Sequence, residues 1–186
     1  MAGTRLMRLV KPDIQFEKSF REGLGELSSE QERREWIYLA HEDYGDFFKI
    51  PFSDYVNRLI EFEINPPSHW VPTTILWAVE NAEVVGRIGI RHKLNDFLFH
   101  EGGHIGYFVR PSCRRKGFAT GMLKQALETD LARKIGKILI TCDEGNDASE
   151  KTIRNNGGQL ENMRLENIIS FDSGRPRKKR FWITLG

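Results

Sequence analysis

The chain has 186 residues, with 28 Lys and Arg against 26 Asp and Glu, a length that suits one domain with a full core. This near balance of charge names no partner by bulk electrostatics, the aromatic content argues against disorder, and no apolar run approaches the roughly 20 residues of a membrane span. Only two cysteines occur, Cys113 and Cys142, and no signal-peptide pattern precedes them, so free thiols and a cytoplasmic setting are expected.

In chain order, Arg5 to Val10 reads as a first strand stopped by Pro12. Asp13 to Leu27 has helical spacing at Phe16, Phe20 and Leu24, with Gly23 and Gly25 ending it. Ser28 or Ser29 opens a second helix, Ser29 forming a capping box with Glu32, and Trp36, Ile37, Leu39 and Ala40 give its apolar side. Ser53 is a third candidate cap, ahead of Tyr55, Val56, Leu59, Ile60 and Phe62. Pro66 to Pro72 is a loop; Thr74 to Glu80 and Val84 to Arg91 form a hairpin across Asn81-Ala82-Glu83. Gly86 and Gly89 inside the second strand mark a bulge or a close backbone approach. Leu94 to Phe99 is a short helical turn.

The stretch His104 to Thr120 organises the rest. Ile105 to Val109 is apolar and β-rich, and Pro111 ends it. Arg114, Arg115 and Lys116 form a basic cluster, and Gly117-Phe118-Ala119-Thr120 lead into a helix marked by Ala119, Met122, Leu123, Ala126, Leu127 and Leu131. The first turn of a helix presents free N–H groups and the positive end of the macrodipole. Gly117 and Ala119 keep bulk away from that turn, and the three cations add charge, so the pattern predicts a site for a pyrophosphate-sized anion. The spacing is neither that of a P-loop nor Gly-x-Gly-x-x-Gly. Gly136 ends the helical region, Ile138 to Cys142 is a strand, Asp143 to Asp147 a loop, and Ala148 to Asn156 a helix closed by Gly157-Gly158. Gln159 to Phe171 and Arg180 to Leu185 are the last strands, joined by a turn at Asp172 to Pro176.

Arg114-x-x-Gly117-x-Ala119, after Val109-Arg110-Pro111, resembles the acetyl-CoA signature of the GNAT N-acetyltransferase superfamily, Gln/Arg-x-x-Gly-x-Gly/Ala. Lys137 to Asp143 followed by Asn146, Ser149 and Gly157 is a second match, and the likeness covers roughly Trp70 to Trp182. Val71-Pro72, Arg91-His92, Gly102 to Tyr107 and Asn155 to Gly158 are similar to an uncharacterised branch of predicted acetyltransferases. The resemblance implies a single α/β domain over residues 1–186, with a mixed, mostly antiparallel sheet flanked by helices and two central splayed parallel strands, Ile105–Val109 and Ile138–Cys142. Residues 1–69 would wall the acceptor groove and residues 70–186 would form the acetyl-CoA-binding core. It further implies direct transfer of an acetyl group from acetyl-CoA to a primary amine of a small molecule or peptide, in a ternary complex; dimers are common in the family, so a homodimer is the assembly it suggests. The coenzyme contacts so implied are main-chain groups of Phe108 and Val109, the turn through Arg114, Arg115, Lys116, Gly117, Phe118, Ala119 and Thr120, and Asn146 and Ser149. The rival reading is a non-catalytic module that binds coenzyme A or acetyl-CoA, because Ile153 stands where many members carry a proton-donating Tyr.

Tyr107, Cys142 and Ser149 are the substitute acids, in that order, and Glu101 is the candidate base, at a position where some members carry a Glu. His104 has a suitable pKa, but strand parity sets it opposite Glu101 unless Gly102-Gly103 bulges, so it reads as a core or surface histidine. His100 and His104 lack a carboxylate and a third ligand at suitable spacing, so no metal site is expected. Cys142 has no His partner, and no covalent intermediate is expected. Arg91 and His92 suit a carboxylate-bearing acceptor or an exposed strand end, and Trp70 suits a pocket wall or the core. The basic run of Arg175 and Arg177 to Arg180 reads as protection of an edge strand rather than as a nucleic-acid contact.

Overall fold

The computed structural model describes residues 7–40, 43–161 and 177–186. Strand β1 (Arg8–Val10) is followed by a 3-10 turn that Asp13 caps, accepting a bond from the Gln15 amide, and then by α1 (Glu17–Gly25). Phe20 on α1 is fully buried and stacks on both Trp36 and Trp77. Gly23 is required because a Cβ there would lie 2.7 Å from the Trp36 ring. Helix α2 (Glu30–Ile37) starts as expected at Ser29, whose hydroxyl accepts from the Glu32 amide at 3.1 Å. Helix α3 (Phe52–Glu61) starts two residues earlier than the Ser53 cap predicts: Pro51 is the cap, and its carbonyl takes the amides of Asp54 and Tyr55.

Strands β2 (Thr73–Glu80) and β3 (Glu83–Arg91) pair through a turn in which Asn81 and Ala82 both have positive φ, the geometry that matches strand twist. The irregularity falls opposite Ala78 and Val79, next to Gly86. Gly86 is also a close approach, since a Cβ there would meet the Met122 sulfur and the Phe108 carbonyl at 2.8 Å. After β3 the predicted helical turn extends as a π-type turn over Leu98–Gly102, so Glu101 lies within it rather than in an open glycine loop. Then comes β4 (Ile105–Val109), followed by α4 (Phe118–Leu127), α5 (Asp130–Ile135), β5 (Lys137–Asp143), α6 (Asp147–Asn155), β6 (Gln159–Leu160) and β7 (Lys178–Thr184).

The single helix read through Leu131 is two helices. Thr129 breaks it: its hydroxyl donates to the Ala126 carbonyl and accepts from the Ala132 amide, ending α4 and capping α5. Of the strand predicted from Gln159 to Phe171, residues 162–171 lie outside the described residues, as does the turn at 172–176.

The strands form two antiparallel ladders, ordered β1-β2-β3-β4 and β5-β7-β6. Strand β7 is thus the middle strand of its ladder, which corrects the edge-strand reading of the basic run. Its cations are held by acids instead: Lys178 by Asp143, Lys179 by Glu150 at 2.6 Å and Arg180 by Glu161 at 3.0 Å. Two apolar cores result. One lies between the N-terminal helices and β2, around Phe20, Trp36, Tyr55 and Trp77; the other lies between α4, α6 and the inner strands, around Met122, Leu123, Ile138 and Phe181. Each fully buried large side chain of these cores contributes about 1.5–3 kcal/mol of transfer free energy.

Candidate active site

The two ladders meet at one point. The His104 amide donates to the Leu139 carbonyl at 2.7 Å, and the Leu139 amide donates to His104 Nδ1 at 2.9 Å. Burial, with Arg91 second, pulls the His104 pKa down to about 4, so the ring is neutral at ordinary pH and Nδ1 is free to accept. Gly103 makes the approach possible: its φ is +64°, and a Cβ would lie 2.6 Å from the Leu139 carbonyl oxygen. Past this vertex β4 stays with β3 and β5 stays with β7, leaving a wedge between them.

Register decides what β4 offers to that wedge. Arg91 donates to the His104 carbonyl and Arg110 to the Val85 carbonyl, so the alternating bonded pairs between them are Gly89 with Gly106 and Arg87 with Phe108. The amides of Tyr107 and Val109 therefore point away from β3 and into the wedge, whereas the main chain of Phe108 is turned to the ladder. The Val109 carbonyl takes Arg114 Nε at 3.2 Å, and its amide is left free among the described residues.

Beyond β4, Arg115 with φ +62° and Gly117 with φ +85° bend the chain into α4. A Cβ on Gly117 would meet nothing within 4 Å, so its missing side chain leaves open space over the turn. The amides from Arg115 through Thr120 make no hydrogen bond among the described residues, and beside them lies a hollow of about 230 Å³ lined by Lys116, Gly117, Phe118 and Gly121 and, on its far side, by Met7, Glu80 and Gln125. These donors fit a pyrophosphate. The cations are less concentrated on the turn than the sequence suggests. Arg114 pairs with Glu32 at 2.8 Å, Lys116 donates back to the Ser112 carbonyl at 2.7 Å, and Arg115 is exposed. The Arg114 bond is the leading cause of a lowered Glu32 pKa. Glu26, which the sequence did not single out, accepts from the Ser112 amide, the Ser112 hydroxyl and Arg110. Burial raises its pKa, but those bonds outweigh burial and the net shift is downward.

On the far wall of the wedge, Asn146 caps α6, accepting from the Ser149 amide at 3.0 Å. The Ser149 hydroxyl lies 2.7 Å from the Tyr107 hydroxyl. Burial raises the Tyr107 pKa, keeping the phenol protonated. Cys142 is likewise pushed up by burial and by Glu150, which disfavours a thiolate. Ile153 is completely buried. Glu101 holds the Thr141 hydroxyl on its carbonyl, and its carboxylate makes no hydrogen bond among the described residues. No group of His, Cys, Asp and Glu among the described residues could hold a metal.

On the other face of β3 and β4 is a cleft of about 320 Å³ between the α2 end, the loop at His69–Val71 and the turn after β3. Arg91 and Trp70 line it; His92 does not, bonding instead to the Thr74 hydroxyl at 2.9 Å. Sequence reading missed Glu35, Tyr38 and Arg87. Arg87 is 1% exposed and donates to the Glu35 carbonyl and carboxylate, with its guanidinium 4.2 Å from the Tyr38 ring centroid. Tyr38 ends α2 at φ +60°, and its hydroxyl fills the space that the missing Gly89 side chain leaves. No helix among the described residues is long and apolar enough to cross a membrane.

A search of curated protein sequences finds no relative. Among solved structures the chain is similar to the microcin C7 self-immunity acetyltransferase MccE in complex with acetyl-CoA and AMP, at 16% identity and TM-score 0.59, over 96% of this chain and 92% of that one. It is similar to the spermidine N-acetyltransferase from Vibrio cholerae in complex with CoA and spermine, at 16% identity and TM-score 0.59, over 96% and 95%. It is similar also to RimL, the ribosomal L7/L12 α-N-protein acetyltransferase in complex with coenzyme A, at 15% identity and TM-score 0.59, over 100% and 97%. At these identities the likeness shows the fold, a mixed α/β arrangement with a mostly antiparallel sheet flanked by helices. The sequence pattern of the acetyltransferase (GNAT) family matches residues 34–157, more than half of the chain, and the chain belongs to that family of acyltransferases.

Proposed function

We propose that this protein binds acetyl-CoA along the wedge and transfers the acetyl group to a primary amine that enters from the cleft over Arg91. Residues 1–186 act as one acetyltransferase unit, with residues 1–69 supplying the acceptor wall. The carrying observation is the backbone of the wedge: the Val109 amide is freed from the ladder, the amides of the Gly117 turn are free among the described residues, and Asn146 caps the start of α6.

When bound, acetyl-CoA supplies a thioester, an activated acyl donor with a thiolate leaving group. The amides of residues 115–120 hold the pyrophosphate, and Asn146 Nδ2 and the Ser149 hydroxyl face the chain beyond it. The Val109 amide polarises the acyl carbonyl. In the direct transfer a C–N bond forms to the acetyl carbon, the C–S bond breaks, the amine gives up one proton and the sulfur gains one. Glu101 takes the first proton, directly or through water. Tyr107 donates the second and is reprotonated through Ser149, replacing the donor that Ile153 cannot be. The structural relatives named above are a microcin self-immunity acetyltransferase, a spermidine N-acetyltransferase and a ribosomal-protein α-N-acetyltransferase, so they do not select the acceptor.

Calorimetric titration of acetyl-CoA into the wild type and Gly117→Glu tests the reading. The new carboxylate fills the open space over the turn with bulk and like charge, so binding to the wild type should be lost in the variant. Gly117→Asn, which tolerates positive φ, controls for backbone strain. A folded wild type that does not bind acetyl-CoA removes the proposal; binding without coenzyme release across an amine panel leaves the coenzyme-binding module.

A further inference from the structure

Resting on that function, we infer that the acceptor carries a carboxylate beside its amine, and that Arg91 binds this carboxylate: the substrate class is a free amino acid with an apolar side chain. Arg87, Gly89 and Arg91 alternate onto one face of β3, beneath the end of α2. The acid that could neutralise this row, Glu35, is already engaged by Arg87 at 2.8 Å. Arg91 has a different role. Both hydrogens of its Nη1 are spent on the Gly102 and Gly103 carbonyls, at 2.9 and 3.0 Å, which fix the guanidinium plane. Its Nε and Nη2 donate to nothing among the described residues, and no carboxylate pairs with it there. The half-buried side chain lines the cleft, so this open edge is a preoriented fork for a carboxylate.

The position suits the chemistry. The guanidinium lies over Gly106, 3.5 Å from where a Cβ would stand, and Gly106 directly precedes Tyr107, whose amide faces the wedge. A carboxylate on Arg91 therefore places a neighbouring amine at the β4 strand, between the cleft and the acyl carbon's position. The positive field of Arg91 reaches His104 at the vertex, where it is the second cause of that ring's low pKa. Arg34, Glu35, His69, Thr73 and Asn95 give part of the cleft a polar lining, while Tyr38, Leu39, Trp70 and Phe97 form an aromatic and apolar wall for the side chain, and the volume of about 320 Å³ is that of a small-metabolite pocket.

The test uses the full chain and three matched acceptors: phenylalanine, phenylalaninamide and phenethylamine, with spermidine as a cationic control. Coenzyme release should be fastest with phenylalanine. In Arg91→Gln, which can still donate to the Gly102 and Gly103 carbonyls, KM for phenylalanine should rise about ten- to a hundredfold, the range of one charged hydrogen bond. kcat should fall far less, the two uncharged-tail amines should shift far less, and Arg91→Lys should restore part of the KM. A second readout does not need turnover: N-acetylphenylalanine, titrated into protein saturated with coenzyme A, should quench tryptophan fluorescence, and this response should be lost in Arg91→Gln and in Trp70→Phe. Preference for phenylalaninamide or spermidine, equal loss on all acceptors in a stable Arg91→Gln, or no binding of N-acetylphenylalanine overturns the inference. These outcomes are distinct from loss of acetyl-CoA binding by the wild type, which instead removes the function on which the inference rests.

Discussion

The turn from Pro111 to Gly117 exposes backbone amides, the donors proposed to hold the coenzyme, whereas the cleft over Arg91 presents side chains drawn from α2, the His69–Val71 loop, the end of β3 and the turn after it. A backbone site needs few particular side chains: glycine where φ is positive, a small residue behind it, and a helix to aim the amides. It is therefore written in one short stretch. A side-chain site needs a cation, a carboxylate to balance its neighbour, and walls of the right size, and these come together only through packing. One region can keep the same chemistry while its sequence drifts; the other changes its acceptor with a few substitutions. Loss of Gly117 or Arg91 function, as described above, would break one region at a time.

Within the wedge, the largest expected effect of a single small change is that of Tyr107→Phe. The phenol is buried, stays protonated because burial raises its pKa, and sits 2.7 Å from the Ser149 hydroxyl. Deleting the oxygen should lower kcat by about a hundredfold or more, the usual weight of a general acid. Acetyl-CoA affinity should hold within a small factor, because that binding is carried by amides. Steady-state rates with calorimetry on the same preparation separate the two; an undiminished kcat would mean that water protonates the thiolate and that Tyr107 only packs.

The vertex makes a smaller and differently signed prediction. His104 accepts the Leu139 amide only when Nδ1 is unprotonated, and its pKa is lowered to about 4 from an ordinary 6.5. The unfolded chain thus takes up this proton first as pH falls. Stability is full above about pH 6.5 and is lost between there and about pH 4, by up to about 2 kcal/mol between pH 7 and 5 for this group. Urea unfolding of the wild type and His104→Gln at those two pH values checks this. The wild type should lose more stability than the variant, and parallel losses would show that His104 does not drive the acid sensitivity.

The legible parts of the molecule are those whose cause is local. Alternation and apolar periodicity located the main strands and helices of the core apart from the break between α4 and α5, and Ser29 capped α2 as its box with Glu32 required, although the Glu32 carboxylate itself turned elsewhere. Thr129 was missed because the apolar stripe continues across it while its hydroxyl rewires the ladder. Arg87 was missed because nothing in a β-strand pattern announces a cation that a distant helix will cover. Glu26 and Glu32 were missed as partners of the coenzyme turn because they lie more than 80 positions away in the chain. The sheet read as one mixed unit is two ladders for a reason equally hidden: the separation depends on Gly103 letting two backbones touch once and then part.

Glu32 links the two regions, because it sits on the helix whose far end lines the cleft, and its carboxylate holds Arg114 of the coenzyme turn at 2.8 Å. Both side chains are partly exposed, at 43% and 27%, so the pair is worth no more than about 1 kcal/mol and is screened by salt. In the proposed complex, coenzyme phosphates would compete with Glu32 for the same guanidinium. Glu32→Gln should therefore raise acetyl-CoA affinity, by up to about fivefold at low ionic strength and by less as salt is added. Calorimetry at two salt concentrations would show it. A fall in affinity would mean the reverse ordering of effects: the ion pair would then be holding Arg114 and Val109 in their bound geometry, and α2 would be a splint for the wedge as well as a wall of the cleft.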